Sequence, residues 1–194
     1  MLVLRKWRLA LLSVFFVTAP FALAQRTETT RLSSEQQCGL FISRPVIDYG
    51  SMSRGQLRLL PYGTFSPGRQ ALRLSVTCPS SRLIKLEVTG QRGVEGRLRY
   101  GVHGFVRLRL MDIQLDGKPV VLQPLTPAGI ATTDADRRPF LLPGEQRVPV
   151  RQGEQIERKN LTARLEIEPV MAAADLRGNR PHTSEARLTL TVID

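Results

Sequence analysis

From residue 38 onward, apolar and polar side chains trade places with a period of two. Leu72, Leu74, Val76 and Cys78 share one face, and Arg73, Ser75 and Thr77 share the other. Ile84, Leu86 and Val88 alternate with Lys85, Glu87 and Thr89; Val106, Leu108 and Leu110 alternate with Arg107 and Arg109. Ile113 and Leu115 continue that run one step out of phase, so Met111-Asp112 predicts a bulge. Leu161, Ala163, Leu165 and Ile167, and then Leu188, Leu190 and Val192, repeat the pattern. A period of two puts alternate side chains on opposite faces of a strand. Each inward Leu, Ile or Val contributes about 1.5–3 kcal/mol when fully buried. The only helical signal is a single turn near Met171–Leu176.

Turn residues fall between these runs: Pro67-Gly68, Asp116-Gly117, Pro143-Gly144 and Gly178-Asn179. Asp116-Gly117, with apolar residues on both sides, predicts a hairpin. Many short strands so punctuated predict an all-β sandwich. No repeat and no change of composition divides the chain. Residues 123–139 and 171–185 are longer irregular pieces.

The first 24 residues follow another rule. Arg5, Lys6 and Arg8 precede an apolar run from Leu9 to Ala22, and Ala22-Leu23-Ala24 closes it with small residues where a signal peptidase reads. That order predicts a secretory signal peptide over 1–24 and a mature start at Gln25. The run is short for a spanning helix and Pro20 interrupts its end. No later segment is apolar enough to span a bilayer, so no transmembrane segment is expected after signal removal. Residues 25–37 are polar, with Leu32 as the one large apolar residue, and predict a flexible N-terminal arm. One domain over 38–194 is expected.

Cys38 and Cys78 are the two cysteines, and in an exported chain they suggest one disulfide. Two free buried thiols would suit a cytosolic chain better. Two distant cysteines and two isolated histidines lack the spacing of a zinc site, so no metal or cofactor is expected. Loss of Arg5, Lys6 and Arg8 lowers the formal charge from +11 to +8, nearly all of it arginine. Such a balance attracts polyanions, yet the arginines alternate with apolar residues as a solvated sheet face would, and nucleic acid is not an expected partner. No nucleophile elbow or phosphate loop is present. His103 sits in the turn-like Gly101-Val102-His103-Gly104, and Asp134 and Asp136 lie beside Arg137 and Arg138 without calcium-loop spacing. An enzyme is therefore not expected.

The stretch Cys38-Gly39-Leu40-Phe41-Ile42-Ser43-Arg44-Pro45-Val46-Ile47-Asp48-Tyr49-Gly50, followed by Leu72-Arg73-Leu74-Ser75-Val76-Thr77-Cys78, resembles pilin-like secreted proteins found with chaperone–usher fimbriae. Gly104 to Pro119 looks like that family's middle hairpin, and Ala186–Asp194 like its closing strand. The resemblance implies an immunoglobulin-like β-sandwich that lacks its last strand. It implies a Cys38–Cys78 bridge between the first two strands. It also implies a groove lined on one side by the first-strand residues Leu40, Ile42, Val46 and Ile47, and on the other by Leu188, Leu190 and Val192. A periplasmic chaperone would fill the groove, with its basic residues anchoring the Asp194 carboxylate. An outer-membrane usher and neighbouring pilus subunits would follow, carrying the protein from the periplasm to a fimbrium at the cell surface. Edge-strand pairing of this kind draws affinity from main-chain hydrogen bonds and specificity from alternate side chains. This chain departs from the family at the tyrosine expected next to last, at the glycine before it, and in the apolar donor arm. Those departures favour a terminal subunit, an adhesin-like or accessory protein, or a self-completed domain. The alternative is a self-contained secreted or periplasmic module that binds anionic envelope or glycan ligands through Arg73, Arg107 and Arg109, or through the Arg92–Arg99 loop.

Overall fold

The computed structural model describes residues 37–132, 139–177 and 183–193. The expected signal peptide, all of the arm except Gln37, the Gly178-Asn179 turn and Asp194 lie outside these residues.

The described chain is all-β and antiparallel, with one sheet curled like half a barrel. Its strands are β1 (Gly39–Ile42), β2 (Arg58–Leu60), β3 (Thr64–Ser66), β4 (Gln70–Arg82), β5 (Lys85–Gly90), β6 (Leu98–Tyr100) and β7 (Gly104–Leu115). They continue with β8 (Lys118–Pro119), β9 (Val121–Pro124), β10 (Gln146–Arg151), β11 (Glu154–Gln155), β12 (Arg158–Val170) and β13 (Leu188–Ile193). Six of them form one sheet in the order β1-β4-β12-β7-β6, with β8 beside β7. Five form the other in the order β11-β10-β5-β13, with β9 beside β10. The β2–β3 hairpin stands apart and is held to the end of β12 by a Phe65–Met171 bridge.

The alternation read from the sequence assigns the inward faces correctly. Leu74, Val76, Leu161 and Leu115 of the first sheet share a core with Ile84, Leu86 and Leu122 around the second. Toward the other end, Leu72, Leu108 and Leu165 pack with Val88, Leu98 and Leu141. The bulge expected at Met111-Asp112 is present. The β7–β12 register jumps there between Thr162↔Gln114 and Arg164↔Met111, and Asp112 takes φ 52°. The Asp116-Gly117 hairpin also forms, with both residues at positive φ, 47° and 75°, the twist that matches two-residue hairpin turns to their strands. The Asp116 carboxylate accepts 3.0 Å hydrogen bonds from both the backbone and the side-chain nitrogen of Asn160. These bonds hold its pKa below the usual carboxylate range and pin the turn to the start of β12. The single turn expected near Met171–Leu176 is a short 3-10 segment, Ala173–Leu176.

Cys38 and Cys78 are joined in a disulfide between β1 and β4. No helix among the described residues is long and apolar enough to cross a membrane.

Candidate functional site: an open rim between the first and last strands

β1 and β13 end their respective sheets. Among the described residues, β1 is hydrogen-bonded to β4 alone, and β13 to β5 alone. Each therefore turns one row of main-chain donors and acceptors away from its sheet. Their side chains are also less covered than those of the central strands. Leu40 and Ile42 on β1, and Leu188, Leu190 and Val192 on β13, are half-buried, while Val76 and Leu74 opposite β1 and Val88 and Leu86 opposite Leu190 and Val192 are buried. Leu40, Ile42, Leu190 and Val192 lean on one core cluster; Ile42, Ile47, Leu188 and Leu190 lean on the other.

At one end this rim opens into a cavity of about 1180 Å³, with Ile42, Val46 and Ile47 on one wall and Ala186 to Leu188 on the opposite one. Its floor is apolar: Leu72, Val106, Leu165 and Ile167 reach it from the central strands. The rim is charged, carrying Arg44, Asp48, Arg54, Glu185 and Arg187.

Of the residues expected along a groove, Ile42, Val46, Ile47 and Leu188 line this cavity, whereas Leu40, Leu190 and Val192 lie on β1 and β13 outside its lining. The first strand stops at Ile42, so Val46 and Ile47 do not belong to it. Pro45 has no N–H to donate and biases Arg44 toward extended backbone. The chain leaves β4 after the Ser43 N–H bonds Arg73 O at 2.9 Å. Ile47 turns back onto the core, whereas Val46 is 73% exposed at the cavity edge.

Tyr49 and Tyr100 also line the cavity, and pattern reading did not single out their role. The Tyr49 hydroxyl donates to Ile167 O at 3.4 Å. Burial, then the nearby Tyr100 and Glu168, push its pKa up to about 12. Burial likewise raises Tyr100. Both phenols face an apolar environment that resists ionisation.

Below the cavity, Glu168 is 4% exposed and is ion-paired to three guanidiniums. Arg58 bonds it directly, Arg107 lies at 3.4 Å and Arg69 at 3.7 Å. The cluster ties β7 and β12 to the β2–β3 hairpin and to the loop before β4. His103 forms another long-range pair. Its Nδ1 lies 2.5 Å from Asp175 Oδ1, and its backbone N–H donates to Asp175 Oδ2 at 3.2 Å. That pair fastens the turn before β7 to the 3-10 segment. Among the described residues no group of His, Cys, Asp and Glu side chains has the arrangement of a metal centre.

No family model matches this chain, and no curated protein matches it.

Proposed function

We propose that this protein is a subunit of a surface fibre of the chaperone–usher type, and that its domain is an immunoglobulin-like pilin sandwich lacking its last strand. The observation that carries the reading is the rim: two sheet-ending strands whose alternate apolar side chains are half-covered, beside a cavity with an apolar floor and a charged rim. An added strand between β1 and β13 would hydrogen-bond both edges and lay alternate apolar side chains on Leu40, Ile42, Leu188, Leu190 and Val192. A periplasmic chaperone supplies that strand first, and a neighbouring subunit replaces it in the fibre, delivered through an outer-membrane usher. The disulfide fits export, because such bonds persist in oxidising compartments. The Asp194 carboxylate, one residue beyond β13, is the anchoring group for the chaperone.

The arm over 25–37, polar except for Leu32, suits an acceptor better than a donor. This places the subunit at an end of the fibre or in an accessory position. Co-expression tests the assignment. In the periplasm, residues 25–194 accumulate as a one-to-one complex with a fimbrial chaperone and aggregate without it. A stable monomer that ignores both the chaperone and an alternating apolar peptide would refute the assignment.

A further inference from the structure

The ends of the sheets are protected unequally. An end strand offers unpaired main-chain groups to any other chain, and proteins blunt it by shortness, charge, proline, a bulge or a covering loop. Among the described residues, β8 is only Lys118–Pro119 and β11 only Glu154–Gln155. β6 has three residues and is covered, because the Arg99 N–H donates to Gln91 O and the Gly93 N–H to Arg97 O, both at 2.7 Å. β9 stops at Pro124, and β1 has four residues with Pro45 soon after. β13 has none of these devices. It has six residues, Leu188-Thr189-Leu190-Thr191-Val192-Ile193, without a charge, a proline or a glycine. All of them run in unbroken register with β5, so no bulge turns the edge away. Thr189 and Thr191 are exposed on its outer face, and Leu188, Leu190 and Val192 are half-buried on its inner one.

We infer that β13 pairs with β13 of a second copy of this chain, antiparallel about a two-fold axis through Leu190. The strand's own sequence selects that occupant. Residues opposite one another across a strand pair share a face. Centred on Leu190, the pairing sets Leu190 against its counterpart, Leu188 against Val192, and Thr189 against Thr191. Every apolar residue then stays on the core face and every threonine on the solvent face, where Thr–Thr pairs are favourable. A slip of one residue sets apolar side chains against threonines, and a slip of two, centred on Thr191, sets Thr189 against Ile193. No like charges meet along the edge, although the chain's formal charge is +11. The contact is isologous, so it closes at two copies. Leu188–Val192 on each side make a small interface, and the dimer is therefore reversible and dissociates on dilution. It uses the main-chain row that a strand in the rim would use, so the two exclude each other. The dimer needs only the open edge, whether or not the protein is a fibre subunit.

Sedimentation equilibrium of the full exported chain, with its rim empty, tests the pairing. The chain is expected to be a monomer at about 1 µM and mostly a dimer at about 100 µM, the range of a weak contact. Thr189→Lys/Thr191→Lys sets lysine against lysine twice and is expected to raise the dissociation constant at least about tenfold. Thr189→Glu/Thr191→Lys sets glutamate against lysine and is expected to stay within about threefold of the unsubstituted chain. Thr77→Lys/Thr162→Lys adds the charge of the lysine pair to the outer face of the first sheet and is expected to change the constant less than about twofold. If the lysine pair on β13 fails to fold by circular dichroism, an alternating apolar strand peptide gives the second measurement, and its binding is expected to convert dimer to monomer. A monomer at both concentrations would overturn the pairing. So would a dimer indifferent to the lysine pair, equal losses in the lysine pair and the glutamate–lysine pair, or a dimer that persists with the peptide bound. A monomer that binds the peptide sinks the dimer and leaves the fibre assignment standing. A dimer with the expected responses that binds no strand peptide supports the pairing and counts against the fibre assignment alone.

Discussion

The centre and the rim of this domain are written in the same sequence pattern and end in different states. Leu161, Ala163 and Leu165 on β12 alternate with polar residues just as Leu188, Leu190 and Val192 do on β13. The first three are buried; the second three are half-buried. The difference comes from neighbours. β12 lies between β4 and β7, so its inward side chains are enclosed on both sides and covered by the facing sheet. Among the described residues, β13 has a strand on one side only. Period-two alternation reports which face a side chain takes, and not whether a further strand exists to cover it.

The sharpest way to break the comparison is to unfasten the rim. Replacing Cys38 and Cys78 with Ser opens the link between β1 and β4, which closes a sequence separation of 40. On the chain-entropy model the bond contributes about 4 kcal/mol. Denaturant titration of the double variant is expected to show that loss, with β1 exchanging amide hydrogens before β12 does.

A truncation at each place sharpens the comparison. Leu161 is fully buried, and Leu161→Ala is expected to cost about 3 kcal/mol with or without a rim partner. Leu190→Ala in the chain alone is expected to cost about 1 kcal/mol, because its side chain is only half removed from water. With a strand peptide bound, that cost rises to about 2 kcal/mol. Equal costs for Leu190→Ala in the two states, from urea titrations with and without peptide, would mean the rim is already complete.

Glu168→Gln probes the ground beneath the cavity. It leaves three guanidiniums around a neutral amide, and the expected loss is about 2 kcal/mol by the same titration. The value lies below that of a fully buried pair because Arg58 and Arg69 are half-exposed.

The effect confined to alkaline solution is a pH dependence. Tyr49 has a folded pKa raised above its ordinary 10, to about 12. The folded state therefore holds the phenolic proton more tightly than the unfolded chain does. The stability this contributes is fully present below pH 10 and is lost as pH rises toward 12. Tyr49→Phe is expected to remove that part of the alkaline decline, seen as a flatter plot of melting temperature against pH between 10 and 12.

Much of the centre was legible in the sequence because its causes are local. The inward sets on β4, β7 and β12 follow from alternation, the Asp112 bulge from a phase shift, and the Asp116-Gly117 turn from residues that tolerate positive φ. The disulfide followed from two cysteines behind a leader-like segment. The Glu168 cluster was not legible: Arg58 is separated from Glu168 by 110 residues, and no local signal links them. The same holds for His103 and Asp175, 72 residues apart. At the rim, the alternation along Leu188, Leu190 and Val192 was readable, whereas the stop at Ile42 and the opening of the cavity depend on how the segment after Pro45 departs from β4.

Hydrogen exchange on the amides of β13, measured with and without an added alternating apolar strand peptide, tests the incomplete rim most directly. Alternate amides from Leu188 to Ile193 are expected to exchange freely in the chain alone, then to slow together with those of β1 when the peptide binds. Uniform protection of β13 in the isolated chain, matching that of β12 and unchanged by any peptide, would contradict the account.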